Sequence, residues 1–333
     1  QREMRAMTDT RPTIHVLATG GTIAGEAGHA TRRDYRPGQI AIADFLSQAK
    51  ALGLEARLTG TQIANIGSED IGAQVWGELH AAALTALADP AVEGIVITHG
   101  TDTAEETALL LDLTLPATKP VVLVGAMRPA DAVGTDGLRN FANAVRVAAN
   151  AQAAGRGVLV VMGDSVIAAR DVRKARTGGG DAFRGFPRSG VAAVTPGSLE
   201  WFGPPWRMDG AARYDFPQRW PRVPVIHTAA GMALDDVRCL LADAHGVVVA
   251  GMGSGNMPDA VRGILREAAA GGIPVVRSTR VDQGLVDREE EDDANGFVAA
   301  RALGPAKARM LLQVLLANGC TDPAAIQDAF DTR

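Results

Sequence analysis

Two threonines placed alike carry the most chemistry in this chain. Thr22 lies in Ala-Thr-Gly-Gly-Thr-Ile-Ala-Gly at residues 18–25, directly after the apolar run at 14–17. Thr101 lies in Ile-Thr-His-Gly-Thr-Asp-Thr at residues 97–103, after a second β-branched run. Glycine lets a strand turn sharply into the next element, because it has no Cβ to clash at positive φ. Open α/β sheets bind ligands at the carboxyl ends of their strands. Both hydroxyls therefore fall where a site is expected, and together they read as one site. A threonine hydroxyl becomes a nucleophile only when a neighbour takes its proton. Asp102 is too acidic to be a good base and better suited to holding an ammonium group.

Other segments supply candidate partners. In Asn-Ile-Gly-Ser-Glu-Asp at 65–70, the Ser68 hydroxyl and nearby N–H groups can bind a carboxylate or merely cap a helix. Arg-Asp-Val-Arg-Lys-Ala-Arg at 170–176 is either a solvated charged face or the source of one lysine, Lys174, beside Thr101 and Asp102. Gly-Met-Gly-Ser-Gly-Asn at 251–256 ends in an amide that can face a ligand, and is a weak nucleotide signal. The acids at 289–293 lack the spacing of a calcium loop and read as a solvated acidic loop. Polar residues 26–38, with Tyr35 among them, have the composition of a lid hinged near Gly25 and Gly28. There is no Gly-x-Ser-x-Gly elbow, no His-Glu-x-x-His and no zinc spacing of His and Cys, and His99 reads as structural. A site free of metal and cofactor, built on threonine, is what remains.

These residues need a scaffold. Strands are expected at residues 14–18, 94–98, 121–124 and 158–161, with helices over 69–87, 103–113 and 136–153 between them. Asp102 or Thr101 is expected to cap the helix at 103. Short β-branched strands alternating with helices predict a mostly parallel sheet covered on both faces. Residues 196–224 hold six prolines and three tryptophans, a density that should exclude regular structure. Beyond it the rhythm returns, with strands at 223–227, 246–250 and 273–278, helices at 234–244 and from Pro258, and a last helix near 305–316. Pro258 and Pro305 suit first-turn positions. The expected fold is α/β: a larger N-terminal domain at 10–200, a proline-rich linker at 201–222 and a smaller C-terminal α/β domain at 223–333.

Composition narrows the classes. A chain of 333 residues, 47% hydrophobic, is long enough for two domains with large cores. A net charge of −5 gives no basic face for nucleic acid, and no apolar run is long enough for a membrane span. Cys239 and Cys320 stand far apart and read as two reduced thiols. Residues 1–7 have no apolar signal core, so a cytoplasmic location is expected unless a leader was removed to leave a periplasmic protein.

Taken together, the motifs resemble the bacterial type II L-asparaginases and glutaminase-asparaginases. The resemblance rests on both threonine segments, on 65–70, on Ala-Glu-Glu-Thr at 104–107 and on Val-Gly-Ala-Met-Arg-Pro at 124–129. It continues through Gly-Val-Leu-Val-Val-Met at 157–162, Arg-Asp-Val at 170–172, Gly-Asn-Met at 255–257 and Gly-Phe-Val-Ala at 296–299. It implies hydrolysis of the side-chain amide of L-asparagine to L-aspartate and ammonia, with L-glutamine as a possible second substrate, and no cofactor. Thr22 falls at the family's nucleophile and Tyr35 at the lid tyrosine that polarises it. Thr101, Asp102 and Lys174 fall at a second triad, in which Lys174 acts as a base or electrostatically. Ser68 and Asp102 match the groups that grip the α-carboxylate and α-ammonium, and Glu69 adds negative charge beside them. Asn256 and Glu290 match residues that reach into a neighbouring subunit's site, which implies a homotetramer built from two close dimers. The rival expectations are an amidase of the same fold that prefers glutamine or a D-amino acid, and a non-catalytic binding protein for an acidic amino acid. A subunit of a tRNA-dependent amidotransferase fits less well, since no basic domain is appended.

Overall fold

The computed structural model describes residues 10–26, 28, 40–195 and 197–332. The first five strands are β1 (Thr13–Gly20), β2 (Arg57–Ile66), β3 (Gly94–Thr98), β4 (Val121–Val124) and β5 (Val158–Met162). They run parallel in the spatial order β5-β4-β3-β1-β2. Their residues alternate between two cores. Val96, Val122, Val124, Leu159 and Val161 face one, where α1 (Ile42–Lys50) and α4 (Gly137–Ala148) lie across them. Ile95, Ile97, Val121, Leu123 and Val160 face the other, against α2 (Ala73–Ala88) and α3 (Ala104–Thr114). Both faces are dry, so the strands are continuous apolar runs rather than alternating ones. Each fully buried aliphatic contributes roughly 1.5–3 kcal/mol.

Five short antiparallel strands follow. β6 (Ser165–Ala168) turns back on β5, β7 (Val172–Lys174) and β8 (Phe183–Gly185) form a separate hairpin, and β9 (Ala192–Val194) and β10 (Leu199–Trp201) finish the edge of the eight-stranded sheet. The second sheet is parallel, in the order β11 (Val225–His227), β12 (Val247–Gly251), β13 (Val275–Thr279) and β14 (Phe297–Ala299). α5 (Leu234–Leu241) and α6 (Asp259–Ala270) cover one face. The short α7 (Glu290–Asn295) precedes β14, and α8 (Pro305–Ala317) and α9 (Pro323–Asp331) cover the other face.

One helix joins the halves. Ala104, Ala108 and Leu111 of α3 enter the core of the first sheet, while Leu109, Leu110 and Leu113 pack with Val248, Val276 and Leu311 of the C-terminal half. A helix apolar all round is one buried on both sides. Since α3 starts just after Thr101 and Asp102, the packing of both halves fixes where that turn sits.

Several sequence expectations shift. The helix expected over 69–87 starts only at Ala73, because Ser68–Asp70 forms its own 3₁₀ turn and Gly72 is extended. The helix expected over 136–153 ends at Ala148, followed by a 3₁₀ turn at Ala151–Ala153. β10 forms inside the proline-dense stretch, in three residues that contain no proline. Pro258 is the residue before its helix rather than in its first turn, whereas Pro305 is in the first turn. α9 follows the helix expected to be last.

The chain leaves β1 toward β2 on one side and leaves β3 toward β4 on the other. This reversal opens a crevice at the carboxyl ends of β1 and β3, the switch point where such sheets bind ligands. Gly21 and Gly100 meet there. Gly21 has φ +79, and a Cβ on it would stand 2.4 Å from the Gly100 Cα. A Cβ on Gly100 would stand 2.7 Å from the Ser68 Cβ. Gly21→Ala should therefore lower the unfolding free energy by about 2 kcal/mol or more, strain and clash together. Gly53 has φ +66 with nothing near its absent Cβ, so Gly53→Ala isolates the strain. Denaturant unfolding of both variants checks this, and equal losses would remove the close approach as a constraint.

Candidate active site

The threonine turns follow directly from the two touching glycines. Thr22 begins a 3₁₀ turn, Thr22–Ala24, and is buried. The Gly21 amide donates to the Ile66 carbonyl at 3.0 Å, tying this turn to the end of β2 just before Ser68. Across the contact, Thr101 is also buried. The Asp102 amide donates to Ser68 Oγ at 3.0 Å, and Thr103 Oγ1 donates to the Ser68 carbonyl at 2.8 Å. The ends of β1, β2 and β3 thus bring Thr22, Ser68, Thr101 and Asp102 to one crevice. Ser68 Oγ accepts from Asp102, so its own proton can be directed to an acceptor such as a carboxylate.

Lys174 arrives from the hairpin. Its Nζ donates to Thr101 Oγ1 at 2.8 Å and to Asp102 Oδ1 at 2.5 Å. The lysine side chain is 17% exposed, while that of Asp102 is 59% exposed and open to an incoming group. Neither Thr101 nor Asp102 caps α3. The residue before that helix is Thr103, and it makes no side-chain cap. The expected capping role is replaced by contacts to Lys174.

The basic run is not a solvated face. The Arg170 Nη2 donates to the carbonyls of Ala329 and Phe330 in α9, at 3.1 and 2.6 Å. Arg173 reaches the Ala302 carbonyl at 2.8 Å. Lys307 of α8, 1% exposed, donates to the carbonyls of Ala169, Arg170 and Val172 at 3.3, 2.6 and 2.6 Å. Burial drives its pKa down to about 8, against the pull of Glu105 in the other direction. Glu105 of α3 accepts the Lys174 amide at 2.8 Å. The strand bearing Lys174 is therefore held by the C-terminal half on one side and by α3 on the other. Neither Lys307 nor Glu105 is among the site residues expected from the sequence. Glu105 stood inside a quoted motif, but Lys307 lies 133 residues after Lys174 with no local pattern to mark it.

Glu69 is exposed, and its carboxylate folds back over Gly67, where an added Cβ would meet Oε1 at 2.4 Å. Tyr35, with most of the expected lid, lies outside the described residues. Asn256 and Glu290 are exposed on the C-terminal half and make none of the contacts that build the Thr101–Lys174 cluster. Residues 289–293 are not the loop expected. Glu290–Asn295 is helical, and Asp292 is buried against Arg277. Among the described residues no group of three or more His, Cys, Asp or Glu is arranged to hold a metal ion, and no helix is long and apolar enough to cross a membrane. Cys239 and Cys320 are both free thiols. A shallow hollow of about 310 Å³ lies beside Asp102 and Lys174. A larger one of about 630 Å³, lined by Arg170, Asp287, Arg301 and Asp331, touches neither threonine turn, so the chemistry places the site at the former.

The geometry has counterparts among known proteins. Residues 13–207 match the family model for the asparaginase N-terminal domain, and residues 222–330 match that for the glutaminase/asparaginase C-terminal domain. L-asparaginase 2 of Escherichia coli K12 is 40% identical over 326 residues, 96% of this chain and 93% of that one. The glutaminase-asparaginase of Pseudomonas fluorescens is 35% identical over 311 residues, 91% of this chain and 86% of that one. The crystal structure of a probable cytoplasmic L-asparaginase from Campylobacter jejuni superposes with a TM-score of 0.90 at 33% identity, over 97% of this chain and 100% of that one.

His99, next to the touching glycines, is sealed off from this chemistry. It is fully buried, and its Nδ1 pairs with the Gly100 carbonyl at 2.6 Å. A carbonyl only accepts, so Nδ1 carries the proton. Burial lowers its pKa to about 4, against the opposing effect of that bond. The ring is neutral and structural. Between pH 6.5 and 4 the unfolded chain binds a proton that the folded one refuses, so stability falls as pH drops through this window. From pH 7 to 5 His99 alone should contribute a loss of about 2 kcal/mol. Unfolding at both pH values, compared with His99→Asn, checks this; the variant should show a loss smaller by that amount.

Proposed function

The chain belongs to the asparaginase family, and from that premise we propose that it hydrolyses L-asparagine at Thr22, with Thr101, Asp102, Lys174 and Ser68 completing the site. It is an amidohydrolase of the L-asparaginase kind. The observation that carries the residue assignment is the direction of the Lys174 contacts. Lys174 donates to both Thr101 and Asp102, so Thr101 Oγ1 is an acceptor there and its own proton is free for a substrate atom. Lys174 then acts electrostatically, and Thr101 can donate a hydrogen bond to the departing nitrogen while keeping its proton.

The reaction divides in two. Thr22 Oγ1 adds to the side-chain amide carbon, the C–N bond breaks, and ammonia leaves with the threonine's proton. Water then attacks the resulting ester, giving L-aspartate and restoring the hydroxyl. Backbone N–H groups at the two turns stabilise the oxyanion that forms in each half. Tyr35 polarises Thr22, a role carried over from the resemblance. Ser68 binds the α-carboxylate. Asp102 holds the α-ammonium, and Glu69, folded back beside Ser68, adds negative charge to the same corner. The hydrolysis needs no cofactor.

Asn256 and Glu290 act in the site of a neighbouring subunit, within a homotetramer of two close dimers. Their exposure and their absence from the cluster in their own chain support this reading. L-glutamine is a second substrate within reach, because one methylene changes discrimination by only about 1–3 kcal/mol. Relatives named glutaminase-asparaginase favour it.

Ammonia release from L-asparagine, L-glutamine and N-acetyl-L-asparagine at saturating concentrations tests the proposal. L-asparagine should be hydrolysed and the N-acetyl form hardly at all. Equal turnover of those two would remove the ammonium-binding role of Asp102 and Glu69. Thr22→Val should lower kcat by about a thousandfold or more while retaining substrate binding. Near-normal turnover by that variant would refute Thr22 as the nucleophile.

A further inference from the structure

One buried guanidinium touches both segments that carry Asn256 and Glu290. Arg277, on β13, is 1% exposed. Its Nε and Nη2 donate to the two oxygens of Asp292 at 2.8 and 2.6 Å, a bidentate pair inside α7, two residues from Glu290. Nη2 also donates to the Asp287 carbonyl at 2.6 Å, just before α7. Nη1 donates to the Ser254 carbonyl at 2.8 Å, in the loop that ends at Asn256. The side chain lies under Gly255, where a Cβ would stand 3.0 Å from Nη1. That loop is closed by reciprocal backbone bonds between Met252 and Asn256, at 2.8 and 2.7 Å. Asp292 in turn accepts the Glu289 amide at 2.9 Å, which fixes the start of α7.

A buried ion pair is a weak source of stability, because desolvation offsets the attraction. What a bidentate pair supplies is geometry. Here it ties the loop that ends at Asn256 to the helix that begins at Glu290, and both of those side chains are exposed. We propose that Arg277, through Asp292, Asp287 and Ser254, is the positioning residue that presents Asn256 and Glu290 together to a neighbouring subunit's substrate. This rests on the shared-site reading above. Arg277 touches no substrate, so its influence on catalysis passes entirely through those two side chains.

A double-mutant cycle on the full-length oligomer tests this. KM and kcat for L-asparagine are measured for Arg277→Lys, for Asn256→Ala/Glu290→Gln, and for their combination, with thermal unfolding and sedimentation of each. Arg277→Lys keeps the charge but loses the fork. It should raise KM about tenfold, the scale of one charge-assisted hydrogen bond, with a smaller change in kcat. In the Asn256→Ala/Glu290→Gln background the same substitution should raise KM less than about twofold, while lowering the unfolding temperature as much as before. An equal KM increase in both backgrounds, or none in the parent, overturns the proposal and leaves the shared site standing. Unchanged kinetics in Asn256→Ala/Glu290→Gln itself overturns the shared site and the proposal with it. If Arg277→Lys does not fold, Asp292→Asn, which weakens the pair from its other side, is put through the same cycle and read by the same outcomes.

Discussion

The contact between Gly21 and Gly100 is the constraint on which the site depends. β1 and β3 are neighbours because their apolar faces fill two cores, but neighbouring strands alone do not bring the turns beyond them together. The Gly100 backbone lies where a Cβ on Gly21 would stand, and Ser68 lies where a Cβ on Gly100 would stand. The contact brings the turns that carry Thr22 and Thr101 to one crevice, with Ser68 against Gly100. The proposed chemistry needs a nucleophile, a proton donor and a carboxylate anchor within one small substrate's length, and three strand ends held by glycine supply that spacing.

The second requirement is that a cation reach Thr101 from outside the sheet. Lys174 lies on a three-residue strand in a two-stranded hairpin, too small to be rigid alone. The C-terminal half gives it rigidity. Lys307 holds the strand's approach through three carbonyls, Arg170 and Arg173 grip α9 and the segment after β14, and Glu105 takes the Lys174 amide. Burying these charges is costly, and for Lys307 and Arg170 three and two backbone carbonyls respectively offset the cost. The second half of the chain thus supports the candidate site although it gives the cluster no side chain at its centre. Arg277 plays the corresponding part for the residues proposed to act in a neighbouring subunit. In both cases a deeply buried cation of the C-terminal half, Lys307 or Arg277, holds the backbone of a segment that carries a proposed site residue.

How much of this could be read from the sequence depends on how local each signal is. Thr22, Thr101, Asp102 and Ser68 lie in strand-to-helix turns whose glycines and hydroxyls stand within a few residues, so their neighbourhood was legible. The parallel strands were legible because burial on both faces makes them uninterrupted apolar runs. α1 and β2 were not anticipated; β2 is an exposed edge strand whose threonines, glutamine and asparagine interrupt any apolar run. The start of α2 was placed too early, because four-residue spacing runs back to Ile71 although Gly72 breaks the helix there. The charge run at 170–176 and the acids at 289–293 both looked solvated. Only long-range partners, Lys307 and the α9 carbonyls for one and Arg277 for the other, explain why parts of each are buried. Such partners leave no mark in the local pattern.

The central claim is that the Thr22 hydroxyl, rather than that of Thr101, forms the covalent link to substrate. Its most direct test is to quench the enzyme within its first turnover of L-asparagine and locate any enzyme-bound aspartyl group by peptide mass spectrometry. An aspartyl ester on Thr22 is the expected result. An ester on Thr101, or no bound aspartyl group in a quench that captures the first turnover, would contradict it.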